Sequence, residues 1–138
     1  MGTTIVNLKE SWFEYSSISD TFVSCAMSRE EMIGYLLWND HADSWESWIK
    51  DGRMFKEDID YKLLDISRRI ERVDKKGSSS RLHEDAETAL CVNRAGLNET
   101  YLEPDLFYKR IWAARVEWYE EYNWELFEEL RLKYLPDL

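Results

Sequence analysis

Two histidines and two cysteines are the side chains of this sequence that are best suited to catalysis or metal binding. His41 lies between Asp40 and Asp43, and a carboxylate beside an imidazole is the arrangement of a general base with the group that orients it. His83 also has acidic neighbours, and neither histidine has a serine or cysteine nucleophile placed beside it by a recognisable turn. One hypothesis is a small enzyme that uses His41 or His83. Solvated histidines at helix ends are the simpler interpretation, since most His–Asp neighbours are not catalytic.

Metal, nucleotide and cofactor sites have no signature in the sequence. Zinc motifs of the HExxH type, paired CxxC sequences and EF-hand loops are absent, and Cys25 and Cys91 lie far apart in the chain. The glycine-rich phosphate loops GxGxxG and GxxxxGK are absent as well. The sequence therefore predicts a protein that uses no metal and no cofactor and that is not an enzyme.

The net charge of −10 limits the choice of partner. Phosphates repel an acidic surface, which disfavours direct binding to nucleic acid and to anionic membranes. The N-terminus has no basic-then-apolar signal segment, and no apolar run approaches the roughly 18 residues of a membrane span. We therefore expect a cytoplasmic protein with reduced thiols. The acidity favours a basic protein partner, and solubility alone is the simpler explanation.

The acidic residues concentrate near the C-terminus, where residues 116–130 contain six glutamates and no lysine or arginine. On a continuous helix, most apolar residues of this region form one broad arc, which periodicity predicts to face the core. The arc consists of Phe107, Tyr108, Ile111, Trp112, Val116, Trp118, Tyr119, Tyr122, Leu126, Phe127, Leu130 and Tyr134. Trp124 lies on the opposite side, close to Glu117, Glu120, Glu121 and Glu128. These five residues are the predicted partner-binding site, with the indole as its anchor and the carboxylates as its rim.

Three explanations stay open for what covers Trp124: the N-terminal segment of the same chain, a second copy of the chain, or a different protein. Arg115 is the other residue that breaks the pattern, because it lies inside the apolar arc. In one interpretation its stem lies on apolar surface and its head group stays in water. In the other it forms a buried ion pair with an acidic residue from another element.

The scarcity of glycine and proline, at five and two residues, favours a helical fold. The sequence predicts a mainly α, single domain over residues 1–138, with four or five helices and a long C-terminal helix. Residues 1–27 are rich in β-branched and aromatic side chains, which predicts a short N-terminal β unit and makes an α+β fold the alternative. The Gly/Ser-containing residues 75–81 are predicted to be a flexible connection inside the domain.

Local signals mark the first helices. Ser28 and Glu31 have the spacing of a capping box, so a helix is predicted to begin there. Gly52 is well placed to end a second, short helix. The stretch SWIKDGRMFKEDIDY, residues 47–61, resembles part of the N-terminal domain of phage antirepressors. That stretch is a small part of the chain, and no function or site residue is carried over from the family.

The remaining helices follow from spacing. A seam of apolar residues at alternating spacings of four and three predicts the third helix, and it consists of Ile59, Leu63, Ile66, Ile70 and Val73. Residues 82–94 are predicted to form the fourth helix. Pro104 suits the first turn of a final helix, and no glycine or proline follows it before Pro136. The sequence therefore predicts one continuous helix over residues 105–134. At roughly 45 Å it would be longer than the width of the domain, so it either bends or has one end clear of the core.

The charge, the glutamate-rich segment and the lack of a catalytic motif favour one class of protein. We expect a small cytoplasmic inhibitor or immunity-type protein that neutralises a basic partner, such as a toxin or nuclease, through the site at Trp124. Three alternatives stay open. They are a phage-encoded anti-defence inhibitor whose carboxylates imitate DNA phosphates, the small enzyme that uses His41 or His83, and a homo-oligomeric structural protein, such as a homodimer, in which the last helix pairs with its own copy.

Overall fold

The computed structural model describes residues 3–16, 21–80 and 103–138 and confirms a mainly α fold with a short N-terminal β element. Its strands are β1 (Thr3–Leu8), β2 (Ser11–Ser16) and β3 (Thr21–Phe22). The α-helices in these ranges are α1 (Arg29–Asn39), α2 (Trp45–Lys50), α3 (Lys56–Lys76), α4 (Pro104–Trp118) and α5 (Trp124–Tyr134). None of them is both long enough and apolar enough to cross a bilayer. The helix predicted over residues 82–94 lies outside the described residues.

The three strands form an antiparallel sheet in the order β1-β2-β3. Because side chains alternate along a strand, neighbouring residue pairs belong to opposite faces of the sheet. Val6 pairs with Phe13 on one face, and Ile5 pairs with Glu14 on the other. Every residue of β2 is buried, so both faces of the sheet are covered.

The predicted flexible connection at residues 75–81 is bonded to β1 in the part that the structure describes, and its flexibility stays a prediction. The carbonyl of Gly77 accepts a hydrogen bond from the Asn7 N–H at 2.8 Å, and the Ser79 N–H donates to the Ile5 carbonyl at 2.9 Å. The Ser79 hydroxyl accepts from the Ile5 N–H at 2.8 Å, and Ser78 and Ser79 are buried. Serine hydroxyls can satisfy the backbone groups of a strand edge, so a serine-rich composition does not by itself indicate a linker.

Helices cover the two faces of the sheet and form two separate cores. α4 packs on the face that carries Val6 and Phe13, where Phe107 and Ile111 are buried. The other face, which carries Ile5, packs against α1, α3 and α5. The sheet therefore separates most of α4 from the other α-helices, although Ala114 and Trp118 near its C-terminal end reach the larger core. The outer side of α4 forms a surface of the molecule.

α1 is the central helix of the larger core. Its predicted capping box is confirmed, because Ser28 Oγ accepts from the Glu31 N–H at 3.1 Å and Glu31 Oε1 accepts from the Ser28 N–H at 2.8 Å. The residues from Met32 to Leu37 are all buried. α1 approaches α5 so closely that a Cβ atom on Gly34 would lie 2.2 Å from the carbonyl oxygen of Phe127. Glycine is required at this position because only a residue without a side chain allows the two backbones to touch.

The predicted seam of α3 is confirmed, since Ile59, Ile66, Ile70 and Val73 are buried. The predicted end of α2 at Gly52 is confirmed as well. Gly52 has a φ angle of 72°, which an L side chain rarely adopts, and its N–H donates to the Ile49 carbonyl at 3.0 Å.

The predicted continuous helix over residues 105–134 is wrong, because this segment contains two helices. α4 ends at Trp118, residues 119–121 form one turn of 3₁₀ helix, and α5 begins at Trp124. Tyr122 lies between them in an extended conformation, with φ −101° and ψ 139°. α4 and α5 consequently lie on opposite faces of the sheet.

Asn123 explains the break without any proline or glycine. Its side-chain oxygen accepts a hydrogen bond from the Leu126 N–H at 3.1 Å and so caps the start of α5. A short polar side chain that bonds the backbone in this way favours a helix start over a helix interior. The break also changes which residues of α4 and α5 face the core.

Candidate partner-binding site

The outer side of α4 carries an open depression of about 500 Å³. We call it the α4 groove, and the residues that line it are Trp112, Arg115, Val116, Glu117, Tyr119 and Glu120. Its lining combines apolar side chains with two glutamates that belong to the predicted site. It is consequently the part of the described structure that most resembles a binding site.

The groove exists because α4 uses only one side for packing. Phe107 and Ile111 are buried against the sheet, and Ala114 is buried in the larger core. Val116 lies on the opposite side and exposes 81% of its surface, and Tyr119 exposes 50%. The prediction that periodicity places both in the core is therefore wrong, because the arc was drawn on a single helix that the chain does not form.

Arg115 forms the ion pair that was one of its two predicted interpretations. Its Nη1 and Nη2 atoms each donate to a carboxylate oxygen of Glu31 at 2.8 Å, and Nη1 also donates to the Ala26 carbonyl at 2.9 Å. The side chains of Arg115 and Glu31 expose 18% and 29% of their surface. The pair is partly buried, and it joins the end of α4 to the start of α1 around the edge of the sheet.

The pKa of Glu31 reflects this geometry. Burial raises the pKa, but the hydrogen bonds from Arg115 and Ser28 outweigh it, and the pKa lies below the ordinary value of a glutamate. The pKa of Arg115 is raised, chiefly by the hydrogen bonds to Glu31. Both groups are charged at neutral pH, so the cation at the floor of the groove is neutralised within the chain.

Trp124 packs on that cation. The guanidinium carbon of Arg115 lies 4.3 Å from the centre of the Trp124 ring, which is the range of a cation–π contact. The indole N–H donates to the Tyr119 carbonyl at 2.9 Å, and the ring centre lies 5.2 Å from that of Tyr122. Trp124 is half-buried, and the residues that hold it belong to the end of α4 and the turn that follows, not to the N-terminal segment.

The predicted site residues do not share one surface. Glu117 and Glu120 line the α4 groove, and Glu121 lies in the 3₁₀ turn that follows α4. All three are exposed, and no cationic side chain within the described ranges pairs with them. Glu128 lies on α5, where it pairs with Arg131 at 2.6 Å. The structure thus brings Glu117 and Glu120 together with Val116 and separates them from Glu128; that these residues bind a partner stays a prediction.

The groove residues that sequence reasoning missed are Trp112, Val116 and Tyr119. Trp112 is held in place, because its indole N–H donates to the Ser11 hydroxyl at 2.8 Å. The signal that could have exposed the error is Asn123, a preferred N-cap residue placed directly before Trp124. When a new helix begins at that position, its buried side no longer continues the buried side of the preceding helix.

The candidate catalytic residues that the structure describes, His41 and Cys25, are not brought together in one site. His41 is exposed, with its ring 5.7 Å from that of Trp48, and Asp40 lies 3.9 Å from the Lys62 ammonium. His83 and Cys91 lie outside the described residues. Cys25 is buried, and burial raises its pKa to about 11, which disfavours the reactive thiolate. Within the described ranges, no group of three or more His, Cys, Asp or Glu side chains is arranged to hold a metal ion.

Comparison with known proteins gives no relative. No protein-family model, no curated protein and no solved structure matches this chain. The function has to be argued from the geometry of the described residues.

Proposed function

We propose that this protein is a small acidic cytoplasmic binding protein of the inhibitor or immunity type, which neutralises a basic protein such as a toxin or nuclease. The partner docks in the α4 groove. The observation that carries the proposal is the exposure of Val116, at 81%, in a groove that Glu117 and Glu120 also line. Trp124 supports the site from within, because it stacks on Arg115, and does not itself anchor the partner.

The composition of the groove suits a basic protein surface. Covering apolar surface contributes roughly 25 cal/mol per Å², so Val116, Tyr119 and Trp112 supply the apolar part of the affinity. The Arg115 charge is balanced by Glu31. The net charge of the groove is therefore negative and comes from Glu117 and Glu120. Carboxylates at the rim of an interface speed encounter with a basic partner and disfavour acidic ones.

The apolar lining favours this function over imitation of DNA. A DNA mimic places carboxylates where phosphates would lie and gains little from an exposed valine and tyrosine. The rival nevertheless makes its own prediction, since DNA would compete with such a mimic for its target. A basic partner held through the α4 groove by apolar contacts would resist displacement by DNA, and added salt would weaken only the charged part of its binding.

The test begins with the identification of the partner and ends with a binding constant. Tagged chain would capture proteins from the source cells, and the basic protein captured would be purified and titrated against wild type and variants by calorimetry. We expect Val116→Ser with Tyr119→Ser to raise Kd more than tenfold, because the apolar contact is lost. Glu117→Gln with Glu120→Gln should slow association severalfold at low salt. Leu132→Ser and Glu129→Gln, at exposed positions of α5, are the matched controls.

Three outcomes would contradict the proposal. Equal affinity of the groove variants and the α5 controls would remove the α4 groove as the docking site. Complete competition by duplex DNA would favour the DNA mimic. Loss of biological activity in His41→Ala with His83→Ala, with folding intact by circular dichroism, would favour the small enzyme.

A further inference from the structure

We propose that α3 carries a second interaction surface, through which two copies of this chain pair in an antiparallel arrangement. The surface lies on the side of α3 opposite its buried seam. Its residues, which we call the α3 surface, are Glu57, Asp60, Tyr61, Leu64, Arg68 and Lys75. They share one helix face, because each of them lies three, four or seven residues from another member of the set.

The apolar centre of the α3 surface is exposed. Tyr61 exposes 71% of its surface and Leu64 exposes 46%. The seam on the other side of α3, at Ile66 and Ile70, is fully buried and holds the helix on the core. Single exposed apolar residues are ordinary, but two large ones on neighbouring turns of one face form a patch that another surface can cover.

The charges of α3 differ from those of the rest of the chain. The helix has seven basic and six acidic residues, a net charge of +1, so the other residues of this −10 chain together carry −11. A second copy therefore meets little net repulsion at α3. Its charges are also divided, since residues 56–65 have four acids and two bases, and residues 67–76 have five bases and two acids.

This division of charge favours a second copy of the chain as the partner, with its α3 running antiparallel to the first. An antiparallel copy places the acidic half of each α3 on the basic half of the other, so Glu57 and Asp60 face Arg68 and Lys75 of the second chain. A parallel copy would place like charges together. The helix dipole accounts for charges in the first and last turns of α3. Asp60, Asp65 and Arg68 lie between these turns, so the dipole does not account for them. Tyr61 and Leu64 then meet near the two-fold axis.

The α3 surface is independent of the α4 groove, because the sheet separates the two helices. Pairing through α3 leaves both α4 grooves free, so the dimer would hold two partner molecules. The inference does not rest on the proposed function, and either can fail alone.

Charge reversal gives a direct test on the full chain. One variant reverses the acidic half (Glu57→Lys with Asp60→Lys), and another reverses the basic half (Arg68→Glu with Lys75→Glu). We expect sedimentation velocity to show wild type approaching twice its mass of 16.6 kDa as concentration rises at low salt. Each charge variant alone should associate at least tenfold more weakly, and an equimolar mixture of the two should recover the dimer.

The outcomes separate this surface from others. Tyr61→Ser with Leu64→Ser should also abolish pairing, and Leu132→Ser on α5 should leave it unchanged. All substituted positions are exposed, and circular dichroism would verify the fold of each variant. A wild-type chain that stays monomeric at every concentration would overturn the inference. A wild-type dimer whose charge variants do not recover pairing on mixing would overturn it too, as would a dimer lost in Val116→Ser, which would move the contact to α4.

Discussion

The α1–α5 interface and the α4 groove are both built from aromatic side chains on helices, and they differ in what those side chains contact. Between α1 and α5, the Tyr35 ring lies 5.9 Å from that of Phe127, and Gly34 lets the two backbones touch. In the α4 groove, Val116 and Tyr119 are exposed beside two glutamates. The aromatic side chains of the α1–α5 interface are packed against each other and stabilise the fold. Those of the α4 groove are exposed to solvent and can contact another molecule.

The difference shows that neither aromatic content nor acidic neighbours identify a binding surface. Trp124 has glutamates nearby in sequence, yet its ring is engaged by Arg115 and Tyr119 of its own chain. Val116 has the same acidic surroundings, yet it exposes 81% of its surface. The contacts of a residue depend on the phase of its helix, and that phase changes at Asn123.

The largest loss of stability is expected from a substitution of Gly34, where α1 and α5 touch. Gly34→Ala places a methyl group against the Phe127 carbonyl, and because backbone cannot rotate away we expect a loss of about 3 kcal/mol in unfolding free energy. Gly52→Ala is the control, since it has a positive φ but nothing near its Cβ, and should cost about 1 kcal/mol. Urea unfolding measures both. Equal losses would show that α1 and α5 are not in backbone contact.

The Arg115–Glu31 pair joins the two regions, and its loss should be the next largest effect. Glu31→Gln removes the charge that Arg115 requires, at a cost of about 2 kcal/mol at neutral pH. The folded-state pKa of Glu31 is lowered, so this stability is present above the ordinary glutamate pKa of about 4.3 and is lost as pH falls through the lower folded value. Urea unfolding over a pH series should show the gap between wild type and Glu31→Gln narrowing below about pH 4. A gap that stays constant with pH would contradict the pairing.

Trp124→Ala tests whether Trp124 stabilises the fold or contacts the partner directly. The variant loses the cation–π contact with Arg115 and the ring contacts with Tyr119 and Tyr122, which should lower the unfolding free energy by about 1–2 kcal/mol. Trp124→Phe keeps a ring over the guanidinium and should lose less. Thermal unfolding by circular dichroism measures the change. An unchanged melting temperature together with a more than tenfold loss of affinity would restore Trp124 as the anchor of the partner.

The smallest effect on stability is expected in the α4 groove. Val116→Ser should change the unfolding free energy by less than about 0.5 kcal/mol, because the side chain is already exposed. Affinity for the basic partner should nevertheless fall. Urea unfolding and calorimetry on the same preparation would compare the two quantities. A large loss of stability would mean that Val116 is packed against part of the fold.

Local signals in the sequence were sufficient for the elements that depend on nearby residues. The Ser28–Glu31 capping box and the turn at Gly52 need only a few consecutive residues, and both are confirmed. The seam of α3 depends on spacing alone and is confirmed as well. These features explain why the mainly α fold with a short β unit was predictable.

Features that depend on distant residues were not predictable in the same way. The partner of Arg115 is Glu31, 84 positions away, and one sequence gives no means of choosing it among the acidic residues. Ser79 bonds to Ile5 across 74 positions, which a Gly/Ser-rich composition conceals. The α4 groove could be predicted only by knowing that α4 and α5 are separate helices, and the break between them depends on the cap at Asn123.

Residues 77–79 have a consequence for how this protein can recognise others. They occupy the outer edge of β1, and β3 offers only two residues at the other edge, so the described sheet has little free backbone for an added strand. Within the described residues, helix surfaces are better suited to an interaction than the sheet edges. Such surfaces tolerate substitution without loss of the fold, so a lineage carrying this scaffold could acquire a new partner by changing a few exposed residues of α4 while its sheet and cores stay the same.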